Sequence, residues 1–97
     1  MSNQEFLARA AKVFMNNVGR IPRVFVRGEG SRLYDADGRA YLDFLTGIAV
    51  ESLGHSNPEL TKAMKNQAGK LVHVSNYFFT EEQIRAAEML TAYAGMD

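Results

Sequence analysis

The sequence predicts an α+β fold: an N-terminal helix, a three-stranded antiparallel meander, then two further helices. Three observations carry this. Apolar residues recur at helical spacing over residues 3–16, 57–69 and 80–93. Between the first two of these stretches, residues 23–44 hold short β-branched and aromatic runs, split by the turn clusters Gly28-Glu29-Gly30 and Asp35-Ala36-Asp37-Gly38. After Phe44 the alternation stops, and Leu45-Thr46-Gly47-Ile48-Ala49-Val50 follows as an apolar, glycine-containing stretch.

In the first helix Phe6, Leu7, Ala10, Val13 and Phe14 form one apolar stripe. Ser2 and Glu5 fit a capping box, in which the hydroxyl meets one free N–H and the carboxylate reaches back to another. Asn16, Asn17 and Gly19 end the helix, and Pro22 keeps Ile21 extended. The strands are Val24 to Val26, Ser31 to Tyr34 and Ala40 to Phe44. Residues 45–50 fit either a parallel core strand or a buried loop. Asn57 is a good N-cap, and Pro58 suits the first helical position, where a missing N–H costs nothing. Leu60, Ala63, Met64, Gln67, Ala68 and Leu71 form the stripe of that helix. Leu71 to Phe79 reads as an extended segment or buried connector. Thr80 with Gln83 fits a second capping box, Glu81 and Glu82 suit the positive end of the helix dipole, and Gly95 caps the far end. The expected core is Phe6, Phe14, Val24, Val26, Leu42, Leu60, Met64 and Leu71.

Composition excludes several function classes. Ninety-seven residues make one small domain, which should bury about 65% of its unfolded surface. Hydrophobic residues are 46% and charged residues 23%, as in ordinary globular proteins. Eleven lysines and arginines balance eleven aspartates and glutamates, which leaves no electrostatic footprint for nucleic acid or an anionic membrane. There is no cysteine, hence no disulfide framework and no thiolate metal site. The first residues lack the apolar core and cleavage site of a signal peptide, and no apolar run approaches the roughly 20 residues that span a bilayer.

No constellation reads as catalytic machinery. Gly28-Glu29-Gly30 begins like a phosphate loop, but Leu33 stands where a third glycine is needed and a strand follows, so a hairpin turn is the better reading. His55 and His73 have no second ligand at metal spacing, and His55 is expected to satisfy backbone groups locally. Asp35 and Asp37 sit in a turn that favours aspartate side-chain bonds; Asp43 lies nearby. Ser56 and Ser75 lack a base and acid at diagnostic spacing. Arg20, Arg23, Arg27 and Arg32 could hold a carboxylate but read as exposed strand positions.

One ordered series is more specific. RGEGSRLYDADGRAYLDFLTGIAVESLGHSNPEL, from Arg27 to Leu60, resembles the N-terminal part of class III (ornithine/acetylornithine-type) aminotransferases, which are fold-type I pyridoxal-phosphate enzymes. Gln67-Ala68, His73-Val74-Ser75-Asn76 and the helix from Thr80 continue the likeness, and acetylornithine-type members are the most similar. The resemblance implies a homodimer in which the N-terminal helix and meander cap the active site. It implies that Gly47 and Ile48 lie beside the substrate, and that Val18 stands where a tyrosine commonly meets the substrate's distal end. Glu51 stands where the family often has asparagine.

The family's phosphate loop, Schiff-base lysine, pyridine-pairing aspartate and carboxylate-gripping arginine match nothing in this chain; Lys12, Lys62, Lys65 and Lys70 occupy none of those positions. The expectation is therefore a single N-terminal segment, residues 1–97, of a cytoplasmic aminotransferase of arginine metabolism. It would pass an amino group between N-acetylornithine, or a similar ω-amino donor, and 2-oxoglutarate. The chain alone would bind no pyridoxal phosphate and no metal, and carry no catalytic residue. Its partners would be the remainder of the enzyme and the dimer mate, with self-association through apolar patches. The competing expectation is a stand-alone interaction module that kept the fold and lost the chemistry.

Overall fold

The computed structural model describes residues 1–96. Its elements run α1 (Asn3–Val13), β1 (Phe25–Glu29), β2 (Arg32–Asp35), β3 (Ala40–Leu42), α2 (Thr46–Ala49), α3 (Pro58–Ala68) and α4 (Glu81–Ala94). The chain divides into two compact units at Ala63/Met64.

In the first unit, Ser2 and Glu5 close the capping box: Ser2 Oγ accepts from Glu5 N–H at 3.3 Å and Glu5 Oε2 accepts from Ser2 N–H at 2.6 Å. α1 stops at Val13, short of residue 16, because Phe14 is already extended at φ −94°, ψ 137°. The sheet is the predicted meander, in the order β1-β2-β3 with both pairs antiparallel. Glu29 pairs with Arg32, so the first loop has two residues, and its first, Gly30, takes φ 55°, which glycine adopts without the Cβ penalty. A register shift between Phe25 and Arg27 bulges β1. Gly38 N–H donates to Asp35 O at 3.0 Å and closes the second turn. Phe25 meets Tyr41 edge to face at 5.4 Å, and the Arg27 guanidinium lies 3.6 Å over the ring of Tyr34, its cross-strand partner. Asn57 caps α3, its Oδ1 accepting from Leu60 N–H at 3.0 Å.

In the second unit, Thr80 Oγ1 accepts from Gln83 N–H at 3.4 Å at the start of α4. Gly95, at φ 64°, ψ 33°, ends it, and Met96 N–H returns to Thr91 O at 3.0 Å. Residues 71–79, expected as an extended segment or a buried connector, belong to no strand and are mostly exposed, so the buried alternative fails. They turn at Ser75 (φ 72°), with Val72, Tyr77, Phe78 and Phe79 exposed.

The expected core is corrected outright. Among the described residues no hydrophobic side chain is buried. Phe6 and Val24 are half-buried; Phe14, Val26, Leu42, Leu60, Met64 and Leu71 are exposed. Periodicity marks which face of an element is apolar, and nothing among the described residues buries these faces. The buried side chains are polar instead: Asn3, 7% exposed, and Asp35, 1% exposed.

Candidate functional site

Two polar constructions organise the first unit. The first is centred on Asp35. Its Oδ1 accepts from the N–H groups of Asp37 (3.0 Å) and Arg39 (2.9 Å), and its Oδ2 accepts from Tyr41 Oη (2.8 Å) and Asn3 Nδ2 (2.9 Å). Asn3 also donates from Nδ2 to Asp37 Oδ2 (3.0 Å) and from its backbone to Asp37 Oδ1 (2.9 Å), while its Oδ1 accepts from Val24 N–H (2.9 Å). One asparagine thus ties α1 to the start of the meander and to its second turn. Burial pushes the Asp35 carboxyl upward, but the bonds from Arg39, Tyr41, Asn3 and Asp37 outweigh it and hold it below its ordinary value.

The second construction is centred on Asp43. Its Oδ1 accepts from Leu45 N–H (3.0 Å) and Thr46 N–H (2.9 Å), and its Oδ2 lies 2.6 Å from His55 Nε2. The bond from His55, then that from Thr46 N–H, holds the Asp43 carboxyl below its ordinary value, against the opposing effect of burial. An ionised carboxylate only accepts, so Nε2 carries the hydrogen. His55 is itself fixed by its backbone, which pairs with Gly30 in both directions at 2.8 and 3.0 Å. Gly28 lies under its ring: a Cβ there would stand 2.6 Å from His55 Cβ and 2.7 Å from Cγ. The expectation that His55 satisfies backbone groups locally is corrected: its backbone bridges to Gly30, 25 residues away, and its ring serves Asp43.

Between these anchors runs a turn of unusual hand. Thr46, Gly47, Ile48 and Ala49 have φ of 50°, 63°, 70° and 62°. Only glycine takes this region freely; each other residue costs on the order of 1–2 kcal/mol. Backbone bonds close the turn: Ile48 and Ala49 N–H donate to Leu45 O, and Val50 and Glu51 N–H to Thr46 O, each at 2.9 Å. The stretch is therefore neither a parallel core strand nor a buried loop. Ile48 is 79% exposed, held out from the chain on a strained, well-bonded backbone.

Of the residues singled out from sequence, Gly47 and Ile48 share this turn. Val18 is exposed in the segment after α1, where it lines an open cleft of about 440 Å³ with Leu7, Ala10, Phe14 and Arg20; Gly47 and Ile48 are not part of its wall. Asn3 and the Asp43–His55 pairing are the residues that sequence reasoning missed. Their partners lie 12 to 34 positions away, beyond any local pattern.

Little else in the described residues is disposed for chemistry. No group of three His, Cys, Asp or Glu could hold a metal among them. Lys12, Lys62, Lys65 and Lys70 are all exposed. The starts of α1, α3 and α4 are capped by Ser2, Asn57 and Thr80 and carry Glu5, Glu59, and Glu81 with Glu82 in their first turns. Each cap takes one of the free N–H groups at its helix start, and the first-turn carboxylates set negative charge where a phosphate would have to sit. No helix of the described residues is long and apolar enough to cross a membrane.

The depressed carboxyls give a signed pH dependence. A carboxyl lowered by folding lends stability that is fully present above its ordinary value, 3.8 for aspartate, and is lost as the pH falls through the lowered folded value. The thermal midpoint should therefore be flat through neutrality and drop below about pH 4. Circular dichroism melts across that range check this, and a midpoint that rose on acidification would contradict it.

The family model of aminotransferase class-III matches residues 13–97. Over 97 residues the chain is 47% identical to an acetylornithine aminotransferase of Streptomyces coelicolor and 41% identical to one of Methanocaldococcus jannaschii, covering 100% of this chain and 24% of each relative. Among solved structures, an ornithine delta-aminotransferase of Plasmodium falciparum matches 100% of this chain and 26% of its own at TM-score 0.94 and 34% identity. An acetylornithine aminotransferase from Elizabethkingia anophelis matches 100% of this chain and 25% of its own at TM-score 0.93 and 30% identity. The chain thus spans about a quarter of the length of the relatives it matches.

Proposed function

Because the chain belongs to the class III aminotransferase family, we propose that it is the N-terminal segment, residues 1–97, of a pyridoxal-phosphate aminotransferase and forms one wall of its substrate site. The full enzyme would transfer an amino group between N-acetylornithine, or a similar ω-amino donor, and 2-oxoglutarate, in cytoplasmic arginine metabolism. The observation that carries this reading is the end-to-end match, at 47% identity, to an acetylornithine aminotransferase about four times as long.

The residues of this chain do not fit the cofactor. Its lysines are exposed, and each of its three longer helix starts carries a side-chain cap and first-turn carboxylates that repel a phosphate. No chemical step is assigned to these residues. What the chain contributes is shape: Asp43 fixes a turn that offers Gly47 and Ile48 to the donor's carbon chain, and Val18 lines a cleft where the donor's distal end would reach. The exposed apolar faces of α1, β1 and α3 then have an occupant, the remainder of the enzyme and the dimer mate. Without that occupant the chain should self-associate through the same faces.

The test is a chimera in which this chain replaces the matching quarter of the Streptomyces coelicolor relative. The chimera should bind pyridoxal phosphate and transaminate N-acetylornithine, and the chain alone should do neither. A folded chimera without transamination would favour a stand-alone interaction module.

A further inference from the structure

We infer that Asp43 and His55 act together as positioning residues for donor recognition. His55 holds Asp43, and Asp43 holds the left-handed turn that presents Ile48. The inference rests on the reading in which Ile48 faces the amino donor.

The geometry forms a chain of supports. The Asp43 side chain is only 6% exposed, and each of its oxygens has a defined task. Oδ1 takes the two N–H groups that open the turn, at 3.0 and 2.9 Å. Oδ2 takes His55 Nε2 at 2.6 Å. A carboxylate bonded on one oxygen alone can swing about its Cα–Cβ and Cβ–Cγ bonds; bonded on both, it cannot. That matters here because the turn's own backbone bonds work against unfavourable left-handed backbone. Thr46, Ile48 and Ala49 are not glycine, and each prefers another basin. Once Asp43 is free to rotate, the N–H groups of Leu45 and Thr46 lose their shared acceptor and the right-handed alternative gains population. His55 in turn cannot drift, since its backbone is bridged to Gly30 and Ser56 Oγ donates to Gly28 O at 2.8 Å. The first hairpin thereby helps to set the position of a side chain that lies outside it and is 79% exposed. Ile48 would be as much a product of Gly28, Gly30 and His55 as of its own loop.

The test uses the chimera described above, with two readouts: amide exchange at Leu45 and Thr46, and kcat and KM for N-acetylornithine. In His55→Leu, exchange at both amides should speed up by about tenfold or more, and donor KM should rise by about tenfold with kcat changed less than about threefold. His55→Gln keeps an amide N–H near the reach of Nε2 and should return both readouts to within about threefold of the parent. If His55→Leu does not yield folded protein, Asp43→Asn carries the test. It weakens the same bonds, so its exchange and donor KM should rise in the same direction. Parent-like exchange in His55→Leu, or in Asp43→Asn where that variant carries the test, would overturn the inference. So would a fall in kcat with donor KM unchanged, or failure of His55→Gln to restore either readout. A parent chimera that exchanges slowly at these amides but does not transaminate would count against the proposed function and leave the support chain itself standing.

Discussion

Asn3→Leu is expected to destabilise the chain by about 2–4 kcal/mol and to lower its thermal midpoint by about 10 °C or more. Leucine matches asparagine in shape, so little packing volume changes. What is lost is three side-chain hydrogen bonds at once: to Val24 N–H at 2.9 Å, to Asp35 Oδ2 at 2.9 Å and to Asp37 Oδ2 at 3.0 Å. Two of these go to carboxylates, which makes them the stronger kind. The substitution also sets a branched apolar group against the buried Asp35, whose remaining partners are the N–H groups of Asp37 and Arg39 and the Tyr41 hydroxyl. Asp35 keeps those partners, and the group left without one is the Val24 N–H, a donor whose loss of partner costs more than the bond itself. With no buried apolar side chain among the described residues to share the load, this asparagine is the main tie between α1 and the meander. Denaturant or thermal unfolding followed by circular dichroism measures the effect. A midpoint within about 2 °C of the parent would mean that α1 is held by something else.

Gly28→Ala should cost about 1–3 kcal/mol and loosen the turn at residues 46–49. Two effects compete. Gly28 does not need a positive φ, and replacing a glycine with alanine in a conformation that alanine can adopt stabilises by roughly 0.4–1 kcal/mol. Against this, the new methyl would stand 2.6 Å from His55 Cβ, 2.7 Å from Cγ and 3.2 Å from Nδ1. Those atoms are the root of the side chain, so rotation at its tip cannot relieve the contact. His55 can move only by giving up the 2.6 Å bond to Asp43 or the bridge to Gly30, and the steric effect wins. Gly19→Ala is the control, since a methyl there meets nothing within 4 Å and the residue has no positive φ; it should be neutral or slightly stabilising. Unfolding of the two variants, with amide exchange at Leu45 and Thr46, separates the cases. Equal behaviour would remove Gly28 from the support chain.

What could be read in advance was local. Ser2 with Glu5, Asn57 before Pro58, and Gly95 are satisfied within one turn of helix, and each performs the expected cap. The Asp35-to-Gly38 turn is equally local, and with β-branched and aromatic runs on either side it specified the meander. What could not be read depends on contacts distant in sequence or outside the chain. Phe14, Val26 and Met64 lie on apolar faces but are exposed, because amphipathicity identifies a face without identifying its cover. Asn3 gave no hint of burial, since its partners Asp35 and Asp37 come 32 and 34 residues later. Gly47 announced freedom of backbone in the central loop. Nothing in Thr46, Ile48 or Ala49 announced that they would share its left-handed conformation, which is held by backbone bonds within the turn and by Asp43, whose partner His55 comes 12 residues later.

The central claim is that this chain is one wall of a transaminase site and not the site itself. An absorbance titration with pyridoxal phosphate, run on the chain alone and on the chimera at equal concentration, tests it most directly. The account predicts no saturable lysine-linked band from the chain, whose lysines are all exposed and unsupported by a phosphate-binding turn, and one equivalent bound by the chimera. A specific, stoichiometric band from the 97-residue chain alone would contradict it.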